Sequence, residues 1–189
     1  MKLIVGQTPP IFRTEDVLGN IINLTKFKGK KIFIAFLRNT HCPLCSLHVY
    51  KLSQKAQKLK ELGLEILVFY ESEKKIFTYS DFFKKNIFNE QKFHVISDTQ
   101  RIIYDLYGTE ISPEKASFEL LKKAGRIEQV TEANLLGIHG DGLEEGTHPD
   151  AIPADFLIDE SFTIRYIHYG NDAGDNIDLK IVEDFVLNP

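Results

Sequence analysis

Cysteine is scarce in this chain of 189 residues: only Cys42 and Cys45 occur, which excludes a fold held together by disulfides. A bridge between residues three apart closes too short a loop to constrain the unfolded chain. Long hydrophobic runs are missing as well. The longest, such as Ile32 to Leu37, are strand-sized, far below the ~20 residues needed to cross a bilayer. The N-terminus offers only three consecutive apolar residues before Gly6, too few for a signal-peptide core. An excess of positive charge is lacking too: 23 basic against 27 acidic side chains leave −4, without the footprint of a nucleic-acid binder. Internal repeats and low-complexity linkers are absent. What is present is a globular composition, 43% hydrophobic and 26% charged, enough apolar mass to offset chain entropy and exclude global disorder. Domains cluster near ~100–150 residues. The expectation is therefore one domain over residues 1–189, soluble and cytoplasmic, with no membrane or nucleic-acid partner.

Strand and helix signals alternate along the chain. Residues 11–24 read as a hairpin turning at Leu18-Gly19-Asn20. Lys31 to Leu37 is a continuous β-branched and aromatic run, suited to a strand buried on both faces. From Pro43 the period becomes helical, with Leu44, Leu47, Leu52, Ala56, Leu59 and Leu62 on one stripe and Gly63 as the stop. Leu64 to Tyr70 is a second buried strand. A Phe-rich helix is predicted over 72–90, a third strand over Phe93 to Ile96, and a helix over Thr99 to Tyr107 closed by Gly108. Such alternation predicts an α/β sheet with parallel pairing. Residues 109–149 break the rhythm with helical content around Pro113–Leu136 and a Gly- and acid-rich tract, read as an insertion over the sheet. Strands at 154–159 and 162–169 and an amphipathic helix from Asn176 complete the chain. Phe77, Phe82, Phe83 and Phe88 are expected in the core or at a homodimer face, since benzyl groups carry no polar handle.

Cys42-Pro43-Leu44-Cys45 stands between a buried strand and a helix start. There, unpaired backbone N–H groups and the positive end of the helix dipole favour a thiolate, which lowers a cysteine pKa from ~8.5 to between ~3.5 and 7.5. Pro43 suits the first helical turn because its missing N–H would have no partner there. Cys45 follows almost one turn later, so the two sulfurs can meet without moving the backbone. Arg38 adds positive charge close by, and His41 and Asn39 are candidate donors beside a turn. Two alternatives stand next to this redox reading: small core hydrophobes, and half of a zinc site. Zinc lacks its other half, since no second Cys-x-x-Cys exists and His139 and His148 lie nine apart. No metal and no cofactor is expected. The acidic tract Asp141 to Glu145 lacks the alternating oxygen ligands of a calcium loop and reads as solvated.

Several segments together resemble one family. They are Gly6, Pro10 and Phe12 with Asp16 and Gly19; Leu24-Thr-Lys-Phe-Lys-Gly-Lys30; Phe36-Leu-Arg-Asn-Thr-His-Cys-Pro-Leu-Cys45; Ile96-Ser-Asp98 with Tyr107-Gly108; and Pro153-Ala-Asp-Phe-Leu-Ile-Asp159 with Ile164-Arg165. In order and spacing they are similar to the peroxiredoxin-like proteins of the alkyl hydroperoxide reductase/thiol-specific antioxidant family. The resemblance implies a thioredoxin-like fold, a central mixed β-sheet flanked by helices, with an N-terminal β-hairpin and a helical or loop insertion around 109–149. It also implies a reactive Cys42 and a cis Pro153 facing the cysteines. Peroxiredoxins proper carry a proline and a hydroxyl residue where this chain has Ala35 and Asn39, and an arginine where it has Pro153.

The expected activity is that of an oxidoreductase. In the main reading Cys42 reduces a hydroperoxide and Cys45 resolves the sulfenic acid. In the alternative, the pair exchanges disulfides like thioredoxin or glutaredoxin. The expected site is Cys42, Cys45, Arg38 and Pro153, with the Pro153 backbone open to an extended peptide. The expected partners are a peroxide or a protein disulfide and an external thiol reductant such as thioredoxin or glutathione.

Overall fold

Asp16 shapes the first turn: its carboxylate accepts the N–H groups of Leu18 and Asn20 at 3.0 and 2.8 Å. Gly19 takes the left-handed φ of +92° that this turn requires. The flanking strands, β1 (Arg13–Glu15) and β2 (Ile21–Asn23), pair antiparallel as the expected hairpin. The computed structural model of the chain describes residues 1–140 and 147–188, so the acidic tract Asp141 to Glu145 lies outside the described residues.

The main sheet has the order β5 (His94–Ser97), β4 (Leu64–Tyr70), β3 (Lys31–Phe36), β6 (Ala154–Ile158), β7 (Ile164–Tyr169). Pairing is parallel across β5, β4 and β3, and antiparallel from β3 to β6 and β7. Every residue of β3 is buried, as its unbroken apolar run predicts. Phe33, Ala35 and Leu37 meet Cys45, Val49, Leu52 and Ala56 of α1 (Pro43–Glu61) on one face. Ile32, Ile34 and Phe36 meet Ile103, Tyr104 and Tyr107 on the other, where α4 (Ile102–Leu106) packs. Buried Lys31 opens the strand and donates to the carbonyls of Phe185, Val186 and Asn188. That contact sets a cation at the C-terminus of α7 (Leu179–Leu187), the negative end of its dipole.

Three helical expectations need correction. The helix predicted over 72–90 is two, α2 (Lys74–Tyr79) and α3 (Asp81–Asn86), followed by a single 3-10 turn. Ser80 breaks it by turning extended and accepting the Phe83 N–H, as a helix N-cap does. Phe77 and Phe83 are buried and stack among Phe82, Phe88 and Tyr70, which makes the cluster core. The helical stretch around 113–136 is also split, into α5 (Phe118–Lys123) and α6 (Arg126–Leu135), at Gly125 with φ +73°. Instead of lying on the sheet, α6 packs along α1, with Leu47, Ala133 and Ile138 closing a small cluster of their own. The helix expected from Thr99 begins later because the Asp98 carboxylate accepts the N–H groups of Ile102, Ile103 and Tyr104 at 2.7–3.1 Å.

Phe36 ends the central strand with its ring 4.7 Å from Phe69, 5.0 Å from Tyr104 and 5.1 Å from Tyr107. Truncation to alanine removes the centre of this aromatic cluster. The expected loss for Phe36→Ala is about 3–5 kcal/mol, read as a lowered midpoint in urea unfolding.

Candidate active site

β3 ends where the cysteine loop begins, and the loop is tied to neighbouring strands at each step. Leu37 N–H donates to Phe69 O, Arg38 O accepts from Glu71 N, and Thr40 N–H donates to Ser72 Oγ. Tyr104 Oη reaches across at 2.6 Å to the Leu37 carbonyl. The loop therefore delivers Cys42 to the start of α1 in a fixed pose. Cys42 is the N-cap residue with Pro43 at the first helical position. Its Sγ accepts the N–H of Cys45 at 3.2 Å, and its own N–H donates to the Asn39 carbonyl at 3.2 Å. Asn39 thus serves the turn through its backbone, and His41 is exposed.

Arg38 lies over the sulfur. One terminal nitrogen of its guanidinium is 3.6 Å from Cys42 Sγ, and the other donates to the carbonyl of Pro149. Both cysteines are free thiols and both are covered, Cys42 at 4% exposure and Cys45 at 0%. A hydrogen bond from the Cys45 thiol is the main force taking the Cys42 pKa down to about 6. Burial opposes the shift; the Arg38 charge and the N–H groups at the helix start support it. Cys45 goes the other way. Burial pushes its thiol well above the usual range, and donation of its proton to Cys42 pushes it further. The two shifts run in opposite directions, so negative charge on the pair is favoured at Cys42.

The insertion closes this site from outside. Besides the Arg38–Pro149 contact, His148 donates its N–H to buried Glu71 at 2.9 Å and sets its Nδ1 3.0 Å from the same oxygen. Glu71 also pairs with buried Arg101. Gly140 packs so tightly on the His41 backbone that no Cβ would fit there. None of Glu71, Arg101, His148 and Tyr104 was expected at the site. The one signal in the sequence is that Glu71 directly follows a strand of the central sheet.

Pro153 differs from expectation. It stands just before β6, whose Ala154 pairs with Phe36 at the end of β3 that leads into the cysteine loop. All peptide bonds among the described residues are trans, so the cis proline is not found. The physical reason is the pairing around it: Ile152 N–H donates to Glu110 O, and Pro153 O accepts from Gly170 N. With the insertion bridged in at Ile111 and Ala151, this backbone is not open to a peptide. No cluster of metal-ligating side chains occurs among the described residues. No helix among them is long and apolar enough to cross a membrane.

One more buried acid shares the α1 face of the sheet. Asp155 lies opposite Ala35 and accepts the Ile177 N–H through Oδ2, while its Oδ1 has no partner. Burial raises its carboxyl from 3.8 to about 7.

Five mixed strands between two helical layers, with Cys-x-x-Cys at the β3–α1 junction, define a thioredoxin-like fold. Comparison narrows the class. The model of the AhpC/TSA family matches residues 5–167, and the chain belongs to this family. It is 30% identical over 131 residues to the thiol-disulfide oxidoreductase ResA of Bacillus thuringiensis strain Al Hakam, covering 68% of this chain and 70% of that protein. A shorter match, 32% over 66 residues, covers 35% of this chain and 36% of the chloroplastic peroxiredoxin Q of Sedum lineare. The crystal structure of a peroxiredoxin-like protein from Aquifex aeolicus superposes with a TM-score of 0.66 at 16% identity, covering 99% of this chain and 88% of that one.

Two measurements check these electrostatics. Replacing Arg38 by Met removes the cation beside Cys42 and is expected to move thiolate formation, followed by absorbance near 240 nm, upward by about one pH unit. For Asp155 the native carboxyl holds its proton to higher pH than the unfolded one. Its stabilisation is full below 3.8, falls as pH rises to about 7 and is flat above. The stability of the native chain relative to Asp155→Asn, from urea unfolding, should follow that course.

Proposed function

We propose that the chain is a thiol peroxidase in which Cys42 attacks the hydroperoxide. The observation that carries this reading is the closed position of Cys42, 4% exposed beneath the bridge from Arg38 to Pro149. A small hydroperoxide fits such a site far better than a folded protein disulfide. The Cys42 thiolate bonds to the terminal peroxide oxygen, the O–O bond breaks, and the leaving hydroxide or alkoxide takes a proton from solvent. Cys42 becomes a sulfenic acid. The Arg38 guanidinium lies where it can stabilise the charge on the departing oxygen, the role that preorganised donors play in such sites. Cys45 then attacks the sulfenic sulfur; hydroxide leaves with the Cys45 proton as water, and a Cys42–Cys45 disulfide remains. An external thiol reductant restores the pair, and the reducing cytoplasm is the setting in which such reductants abound.

The second reading, thiol-disulfide exchange, is supported by the match to ResA over two thirds of the chain. The paired backbone around Pro153 weighs against it, because a peptide has no free strand to join there. Stopped-flow consumption of hydrogen peroxide and an organic hydroperoxide discriminates the two. Wild type is expected to react at least about a thousandfold faster than free cysteine, a gain of about 4 kcal/mol in the barrier. Cys42→Ser abolishes the reaction and Cys45→Ser stops after one turnover. Rates no better than free cysteine, together with turnover of a model protein disulfide, would reverse the assignment.

A further inference from the structure

Both ends of Arg38 trace back to one buried acid. Glu71 directly follows β4 and is 1% exposed. Its N–H donates to the Arg38 carbonyl at 3.0 Å, which fixes the backbone from which the guanidinium springs. Its carboxylate reaches the far end of the same side chain in two steps. Oε2 accepts the His148 N–H at 2.9 Å and lies 3.0 Å from His148 Nδ1, and the next residue, Pro149, takes one terminal guanidinium nitrogen on its carbonyl. The other terminal nitrogen is 3.6 Å from Cys42 Sγ. Arg38, Glu71, His148 and Pro149 thus close a ring with the sulfur at its edge.

A buried carboxylate is costly unless it is paired and its remaining lone pairs are met. Arg101 pairs with Oε1. Arg101 is itself held in place: it is buried, one terminal nitrogen donates to Thr109 Oγ1 at 2.9 Å, and its guanidinium carbon lies 4.9 Å from the centre of the Tyr104 ring. Its backbone has a φ of +56°, a left-handed conformation that is unfavourable for a residue with a side chain and persists only where the surroundings enforce it. Tyr104 in turn donates to the carbonyl of Leu37, the residue before Arg38. An ion pair that serves the core alone is strongest with both carboxylate oxygens on the guanidinium. Glu71 instead gives Oε2 to His148, and so ties the core to the strap that carries Pro149.

We propose that Glu71 is a positioning residue for Cys42: through His148 and Pro149 it holds the Arg38 guanidinium over the sulfur. The inference rests on the peroxidase reading for its consequence in catalysis, and on the geometry alone for its effect on the thiolate. The sign of that effect separates positioning from direct electrostatics. A carboxylate acting on Cys42 by its own charge opposes the thiolate, so neutralising it would make the thiolate form at lower pH. A carboxylate acting by its hold on Arg38 supports the thiolate, so removing the hold makes it form at higher pH.

The test follows thiolate absorbance through a pH titration of the full chain carrying Glu71→Gln, alone and combined with Arg38→Met. Glutamine offers one acceptor oxygen where glutamate offers two. The buried Arg101 cation claims that oxygen, and the amide NH2 is left facing the His148 N–H, donor against donor, which releases the strap. The Cys42 midpoint is expected to rise, by up to about the one pH unit expected of Arg38→Met. In the Arg38→Met background the rise is expected to vanish, because a substitution that acts through Arg38 has nothing left to act on. A midpoint that stays or falls when Arg38 is present, or an equal rise with and without Arg38, would overturn the proposal. Urea unfolding checks that Glu71→Gln folds. If it does not, His148→Pro decides by the same two criteria, since it removes both contacts of His148 to Glu71 and leaves the Glu71–Arg101 pair intact. Peroxide consumption by the wild type is measured separately; its failure would sink the peroxidase reading and leave the thiolate result as it stands.

Discussion

The structure depends on one contact, the N–H of Cys45 donated to the Sγ of Cys42 at the first turn of α1. A helix N-terminus presents unsatisfied donors and about half a positive charge. Usually a serine, threonine or aspartate answers them. Here a sulfur does, and the same donors that it caps hold its negative charge. Capping and thiolate formation are therefore one interaction, and the elements around it keep it in place. β3 ends the sheet at the right height, Pro43 starts the helix without a wasted N–H, and the Cys42 N–H is itself held by Asn39.

From that contact follows the inequality of the two cysteines. Both are buried, so desolvation disfavours charge on each, and only the partner with compensating donors can ionise. Cys42 has the Cys45 thiol, the helix N–H groups and Arg38; Cys45 has its proton committed to Cys42. On the peroxidase reading this fixes the order of events, because the residue that is thiolate at rest attacks first. The one that keeps its proton resolves.

Much of this was legible in the sequence. The period change at Pro43, the unbroken run of β3 and the spacing of the cysteines each reflect local physics, and β3 and α1 lie where expected within one or two residues. What was hidden depends on distant partners. Ser80 splits a Phe-rich helix because its side chain prefers a cap, which a pattern of apolar residues does not reveal. Arg38 meets the carbonyl of Pro149, 111 residues on, and Glu71 holds His148 at a separation of 77. Pro153 was read through the family pattern, and its surroundings differ because the insertion supplies Glu110 to pair beside it.

That last difference bears on two of the three departures from the peroxiredoxin pattern, Asn39 and Pro153. On the peroxidase reading, a chain with Pro153 in place of the late-strand arginine has one cation fewer for the peroxide, and with Asn39 it has no hydroxyl there. Arg38 brings a cation from the cysteine loop itself, four residues before the sulfur, where a long side chain on a loop would ordinarily wander. The carbonyl of Pro149 holds its far nitrogen, and His148, next in the chain, is anchored in turn on Glu71. A guanidinium fixed at two points spends less entropy in meeting a developing charge than a mobile one, which is what preorganisation means in a catalytic site. The insertion is thereby more than a cover. On the peroxidase reading it is the part of the chain that turns a loop arginine into a positioned one.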